Sequence, residues 1–356
     1  MAPTLRERFQ LSLGQAGVLI SASLVGSLFS LIPWGLATDR AGERTVLVTG
    51  LGLCGITLIA AAWAHGFWIL FLLLVMAGLT GSGVQAASGR SVMHWFDPAE
   101  RGLALGIRQT AIPLSGFAVA LLLPTIVRAG GAGWGFAAMG AAVLAGAFVG
   151  GAVLREPPRP DSLHLASRGR NPLGDRRIWM LSIGSGLLLA PQLCVAGFTV
   201  LYLHDRRGLS DGHAAVVLAV MQLLAIAGRV GAGRWSDHVA NRIRPLRTIA
   251  VASAASVAIL AATLDAPLLA TVPLLVIAGA VSMSWNSLSF AAALELAGRR
   301  RGGTAIGLQQ TLLNLPGAAY PILFATLISA TSWRISFAAL ALFPLAGWKL
   351  LHRLPG

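Results

Sequence analysis

A series of apolar runs, each about as long as a bilayer is thick, constrains this chain more than any other feature. The run at 67–87, FWILFLLLVMAGLTGSGVQAA, contains no charged residue, and about 20 such residues cross a hydrocarbon core as a helix. Charged residues make up only 11% of the chain, against about 25% in soluble domains. The sequence therefore predicts an all-α, polytopic membrane protein.

Short loops containing Gly, Pro, Asp and Arg separate the apolar runs. Eleven spans are predicted: 15–36, 45–64, 67–92, 102–127, 134–154, 178–203, 213–235, 247–264, 267–293, 303–329 and 335–352. One set of alternate loops carries seventeen Arg or Lys residues and the other carries six. By the positive-inside rule, the first set and the C-terminus are predicted to be cytoplasmic. Because the basic residues fall in separate loops, the net charge of +14 indicates topology, and no nucleic-acid partner is expected.

Two segments of the first half recur about 200 residues later. GLATDRAGER at 35–44 corresponds to GRWSDHVANR at 233–242, and GIRQTAIPLSG at 106–116 corresponds to GLQQTLLNLPG at 307–317. Such parallel repeats are typical of secondary transporters. They predict an N-terminal bundle at 1–154 (helices 2–6 of a twelve-helix fold), a cytoplasmic linker at 155–177 and a C-terminal bundle at 178–356 (helices 7–12). The span at 178–203 finds no counterpart, so we expect a missing first helix; a genuine eleven-span protein is the alternative.

The first repeated segment resembles the signature of the major facilitator superfamily, and the resemblance extends over essentially the whole chain. That signature is a Gly, three residues, an Asp, a basic residue, one residue, a Gly and two basic positions. The matching residues here are Gly35, Asp39, Arg40, Gly42 and Arg44, with Gly233 and Asp237 in the second copy. Glu43 departs from the pattern, which usually has a basic residue there. The resemblance implies a secondary active transporter that works by alternating access. It also implies that Asp39 accepts N–H bonds at the start of the family's eleventh helix and that this cluster gates the cytoplasmic side.

Candidate substrate contacts come from polar residues inside the predicted spans, where a charge is costly and indicates function. Arg108 and Arg229 lie somewhat on the cytoplasmic side of their helix midpoints, and no carboxylate lies mid-membrane in the predicted spans. Residues predicted at the same level are Gln109, Trp285, Asn286, Gln309 and Gln310, and those at mid-depth include Gln85, Gln192 and Gln222. Since guanidinium binds carboxylates with two N–H donors, the sequence predicts an organic anion as substrate. The alternative is that these arginines bond neighbouring helix ends or extend to the interface.

GRVGAGRWSD at 228–237 is similar to the eighth helix of monocarboxylate and oxalate-type transporters, and this implies that Arg229 engages a carboxylate. The sequence shows no nucleotide-binding loop, nucleophile arrangement or metal spacing, so we expect neither an enzyme nor a cofactor or metal. The predicted partners are a small-molecule solute and the lipid bilayer of the inner membrane; the coupling ion is left open, with the proton as one candidate. Two alternatives remain: proton-coupled efflux of drugs or metabolites, and a non-transporting, transporter-derived sensor or assembly protein.

Overall fold

The computed structural model describes residues 10, 13–155, 171–298 and 300–355. Its helices are α1 (Leu13–Ala41), α2 (Glu43–Ala62), α3 (Phe67–Gly81), α4 (Gly83–Trp95), α5 (Arg101–Val153), α6 (Arg176–Asp205), α7 (Asp211–His238), α8 (Ile243–Ala262), α9 (Leu268–Ser282), α10 (Asn286–Ala297), α11 (Gly302–Ala330), α12 (Trp333–Leu340) and α13 (Leu342–Leu351). One turn of 3-10 helix, Pro172–Gly174, precedes α6. No strand occurs within these described ranges, so the predicted all-α class is confirmed.

The helices are long and apolar enough for a multi-pass membrane protein. Ten helical stretches of the described chain qualify by length and composition. The predicted spans 102–127 and 134–154 lie in α5, where two helices are joined across a kink at Gly131 with φ 77°. A left-handed φ is costly for residues with a Cβ, so a glycine at this position lets the chain bend without a loop.

The described residues form two compact units. Unit 1 holds those of the ranges 1–95, 114–173 and 297–311, and unit 2 holds those of 96–113, 174–296 and 312–356. The first turns of α5 therefore belong to unit 2, and the first turns of α11 belong to unit 1. The division into 1–154, 155–177 and 178–356, which follows the sequence repeat, stays a prediction.

Unit 1 is held together by close contact of α1 with α3 and α4. A Cβ added to Gly78 would overlap the backbone of Ser23, so these backbones touch, as small residues allow in membrane helices. The indole N–H of Trp34 donates to the carbonyl of Leu79 at 2.7 Å. These contacts fix the position of the last turns of α1, where Asp39 lies.

An aromatic cluster forms one end of unit 2, with rings from α6, α11 and α12. Phe324 and Phe337 meet edge to face with centroids 5.2 Å apart, a favoured geometry for aromatic pairs. The Tyr202 hydroxyl beside them donates to the carbonyl of Leu264 at 2.6 Å. Because consecutive membrane helices alternate in direction, this cluster lies at the end of unit 2 opposite Asp237, near the end of α7.

Candidate functional site

In unit 1, the carboxylate of Asp39 lies at the beginning of α11. It accepts the backbone N–H groups of Gly303 and Thr304, each at 2.9 Å, and the hydroxyl of Thr304 at 2.6 Å. The first N–H groups of a helix have no partner inside the helix, and that end carries a positive partial charge. We call this contact the first cap; it is the contact that the family resemblance implied for Asp39.

The structure explains why two positions of the sequence motif at the first cap, Gly35 and Gly42, are glycine. A Cβ at Gly35 would overlap the backbone of Gly303, and one at Gly303 would overlap the backbone of Gly35. α1 and α11 can therefore approach only with glycine at both positions. Gly42 has φ 90° and forms the turn from α1 to α2, a conformation that favours glycine.

Unit 2 contains the same contact from the second copy of the motif. The carboxylate of Asp237 accepts the N–H of Gly102 at 2.9 Å and that of Leu103 at 2.8 Å, at the start of α5. A Cβ at Gly233 would overlap the backbone of Gly102. We call this contact the second cap. The two copies of the motif thus bind helix starts in the same way.

The first cap is surrounded by a buried charge cluster. Arg90 lies 3.4 Å from the Asp39 carboxylate and 3.1 Å from that of Glu43. The Nδ1 atom of His94 is 2.7 Å from the same Glu43 oxygen, and the Glu43 side chain is only 2% exposed. In the sequence, Glu43 stands out only as a departure from the family pattern. The signal that could have revealed its partners is the spacing of Arg90 and His94, which are one helical turn apart on α4.

The charges at the second cap are arranged differently. Arg242 binds the Asp237 carboxylate, donates to the Ser236 hydroxyl at 2.7 Å and to the carbonyl of Pro98 at 2.6 Å. Its Nε donates to Glu295 at 2.9 Å. Arg242 therefore provides the positive charge at this cap, at a position different from the one that Arg40 occupies in the first copy.

The remaining basic residues of the first motif lie at the surface. Arg40 is exposed, and Arg44 is exposed while its Nε donates to the carbonyl of Gly151 at 2.8 Å. In the part of the chain that the structure describes, neither forms an ion pair. Their gating role stays a prediction.

Arg229 is buried, with 5% exposure. Its Nε donates to the carbonyl of Met283 and its Nη1 to the carbonyl of Gln109, each at 3.0 Å. Both partners are backbone carbonyls: Met283 directly follows α9, and Gln109 lies within α5. They satisfy two nitrogens without compensating the charge, and Arg229 forms no ion pair among the described residues. Arg108 donates to the side-chain oxygen of Gln109 at 3.4 Å.

Trp285 and Asn286 lie where α9 ends and α10 begins, between Met283 and Ser287. Both neighbours contact Arg229, since the Ser287 hydroxyl donates to its carbonyl at 3.2 Å. The Trp285 indole nitrogen and the Asn286 amide oxygen are buried and have no hydrogen-bond partner among the described residues. Buried polar atoms are nearly always bonded, so this pair is a candidate for contact with a ligand or water.

The other predicted contacts are distributed over both units. Gln85, Gln309 and Gln310 belong to unit 1, and Gln192 and Gln222 to unit 2. Gln309 is buried, Gln222 is half-buried and the Gln192 side-chain oxygen is buried without a hydrogen-bond partner in the described chain. Their contact with substrate stays a prediction.

A multi-pass helical fold, a repeated helix-capping carboxylate and buried cations within the spans define the class of repeat-built secondary transporters. A family model described as Major Facilitator Superfamily matches residues 1–321. The chain therefore belongs to the major facilitator superfamily, whose members are transporters rather than enzymes.

Individual relatives agree with this assignment. An uncharacterized MFS-type transporter of Mycobacterium tuberculosis is 36% identical over 99% of this chain and 79% of its own length. A probable sulfoacetate transporter of Cupriavidus necator is 24% identical over 93% of this chain and 82% of its own. The crystal structure of the transporter FucP in the outward conformation has a TM-score of 0.79 at 15% identity and covers 98% of this chain and 92% of that one. This last likeness concerns the fold alone.

Proposed function

We propose that this protein is a secondary active transporter that moves a small organic anion by alternating access, with Arg229 as the residue that binds the anionic group. The observation that carries the proposal is the buried guanidinium of Arg229, which has two backbone carbonyls as partners and no carboxylate among the described residues. The same site includes Arg108, Trp285 and Asn286.

The charge of Arg229 provides the physical reason. A buried charge without a counter-charge is costly, and neutral carbonyls compensate it only in part. Nε and Nη1 are bonded, which holds the planar guanidinium in one orientation and leaves the N–H groups of Nη2 for a ligand. A carboxylate or sulfonate accepts such N–H groups and supplies the missing negative charge.

Trp285 and Asn286, which lie in the chain between two residues that contact Arg229, fit the same ligand class. The unpartnered N–H of Trp285 is a hydrogen-bond donor only, and an anionic oxygen satisfies it. The Asn286 amide oxygen is an acceptor and suits a hydroxyl or a bound water on the same solute. A neutral apolar drug would leave both groups without partners.

The names of relatives support an anionic substrate. One is described as a probable sulfoacetate transporter, and another, 27% identical over 32% of this chain, as a hexuronate transporter of Bacillus subtilis. A third, 26% identical over 70% of this chain, is a probable nitrate/nitrite transporter of M. tuberculosis. These solutes share a negative charge.

We place the protein in the inner membrane, with the loops that carry seventeen basic residues and the C-terminus in the cytoplasm. In this orientation both caps lie at the cytoplasmic side. They close that side in one state of the cycle and open in the other.

Counterflow in proteoliposomes tests the proposal. Vesicles loaded with one anion are assayed for uptake of labelled sulfoacetate, a hexuronate, phosphoglycerate or nitrate, with a neutral hexose as reference. We expect exchange of at least one anion and none of the hexose. Loss of one charge-assisted hydrogen bond, about 1.5–3 kcal/mol, predicts that Arg229→Gln weakens anion affinity about 10- to 150-fold.

Arg234→Gln is the matched control, because Arg234 lies on the same helix but is exposed. It should keep the affinity of the unmodified protein. Equal affinity in both variants would refute the role of Arg229. Exchange of neutral drugs with no exchange of anions would favour the efflux alternative, and binding without exchange would favour the sensor.

A further inference from the structure

The two caps share their backbone geometry but have different supporting ion pairs. At the first cap, the residue beyond the turn is acidic (Glu43) and its partner near the end of α4 is His94. At the second cap, the residue beyond the turn is basic (Arg242) and its partner near the end of α10 is Glu295. The sequence repeat aligns Arg242 with Arg44 and not with Glu43, so the two copies build their supporting ion pairs from different positions. Only the first pair contains a histidine, the residue type that can gain or lose a proton near neutral pH, whereas Arg stays protonated.

We infer that His94 and Glu43 form a proton-binding site that controls the first cap, with the proton as ligand. The inference concerns the gate of the proposed transporter and does not depend on its substrate being an anion.

Charge balance gives the direction of the effect. With a protonated His94, the cluster holds two carboxylates, Asp39 and Glu43, and two cations, Arg90 and His94. With a neutral His94, Arg90 alone faces both carboxylates and one negative charge is left over. An excess charge in a buried cluster is costly, and hydration on opening relieves the cost. A bound proton therefore favours the closed first cap, and a rise in pH releases it.

Burial distinguishes the carboxylates beside the two caps, and His238, which follows Asp237, is exposed to solvent. The Glu43 side chain is 2% exposed, whereas that of Glu295 is 33% exposed. Water solvates a partly exposed carboxylate and screens much of its charge. A buried carboxylate depends on its neighbours, and His94 is the neighbour nearest to Glu43 among the described residues, at 2.7 Å.

The other charged side chains on the neighbouring elements are of both signs. Arg40 on α1, Arg44 on α2, Asp97 and Glu100 after α4, and Arg300 and Arg301 before α11 are all exposed, so solvent and salt screen them. The part of α11 that belongs to unit 1, residues 302–311, contains no titratable side chain. We therefore assign the bound proton to His94.

Amide hydrogen exchange resolved to single residues tests the inference in the full-length protein. The amides of Gly303 and Thr304 report the first cap, and those of Gly102 and Leu103 report the second. The ratio of their protection factors cancels the intrinsic pH dependence of exchange. One linked proton changes an equilibrium by at most about tenfold per pH unit. From about pH 5.5 to pH 8 we expect the protection of the first cap relative to the second to fall about threefold or more.

Three variants give this measurement its controls. His94→Gln keeps a neutral donor, so the ratio should be low and independent of pH. His94→Arg keeps the positive charge, so the ratio should be high and independent of pH. His65→Gln, at an exposed histidine of the same unit, should keep the pH dependence of the unmodified protein.

A ratio that does not change with pH in the unmodified protein overturns the inference, and so does a pH dependence that persists in His94→Gln. Neither outcome depends on an anion being transported. A protein that shows the expected pH dependence but exchanges no anion would refute the proposed substrate and leave the proton site in place.

Discussion

Replacing Asp39 by Asn isolates the contribution of the carboxylate to the first cap. The carboxylate accepts from two backbone amides and one hydroxyl. An Asn side chain of nearly the same size offers one acceptor oxygen and places an NH₂ group against an N–H donor. The substitution therefore removes a charge-assisted bond and the negative charge at the positive end of α11, while the packing of α1 is preserved.

The magnitude follows from these two losses. A hydrogen bond to a charged group contributes about 1.5–3 kcal/mol, and the charge at the helix end adds about 0.3–1 kcal/mol. Asp39 is 9% exposed, so solvent screens the interaction little. We expect the closed first cap to lose about 2–4 kcal/mol, which is about 30- to 700-fold in its equilibrium.

The assay combines hydrogen exchange with transport. Gly303 and Thr304 lie in the first turn of α11, where no intrahelical bond protects an amide, so their protection depends on Asp39. In Asp39→Asn their protection should fall by the factor above, while Gly102 and Leu103 keep theirs. Exchange of solute should slow, since the gate no longer closes fully, and the melting temperature should change little.

The mirror variant is Asp237→Asn, which should deprotect Gly102 and Leu103 and spare Gly303 and Thr304. The reasoning fails if Asp39→Asn leaves the Gly303 and Thr304 amides as protected as before. It also fails if transport keeps its original rate despite their deprotection, because the cap would then have no part in gating.

Two further substitutions test packing and the binding site. Gly78→Ala places a Cβ on the backbone of Ser23 and should lower the free energy of unfolding by about 1–3 kcal/mol. The control is Gly52→Ala, at a position with open space around the added Cβ, which should leave the midpoint of thermal unfolding unchanged. Equal midpoints for the two variants would contradict the close contact of α1 with α3. Trp285→Phe removes an unpartnered buried N–H, so the stability of the protein should stay the same or rise. The affinity for the anion should fall about 5- to 10-fold, because one hydrogen bond of about 1 kcal/mol or somewhat more is lost. An affinity equal to that of the unmodified protein would show that Trp285 is not part of the site.

The sequence predicts the caps better than it predicts the charges around them. Asp39 and Asp237 stand in repeated motifs, and a carboxylate at the end of one membrane helix has an obvious partner in the start of another. The pairing of Glu43 with His94 depends on how α2 and α4 are rotated about their axes. The sequence does not determine this rotation, because apolar residues occur all around these helices and no polar face stands out. For the same reason, no spacing in the sequence predicts that the carbonyls of Met283 and Gln109 bind Arg229.

The difference between the two caps follows from what each interaction requires. The carboxylate must meet two backbone amides at fixed positions in a helix, and the backbones must approach closely, so Asp39 and Asp237, and the glycines Gly35 and Gly233, recur in both copies. The supporting ion pair only has to balance charge across a short gap, so the two copies can build it from different positions, with Glu43 and His94 in one and Arg242 and Glu295 in the other. An element with this freedom also tolerates a histidine in place of a permanent cation. The repeat can therefore keep one gate geometry in both copies, while the pair that we propose as a proton site, His94 with Glu43, belongs to the first copy.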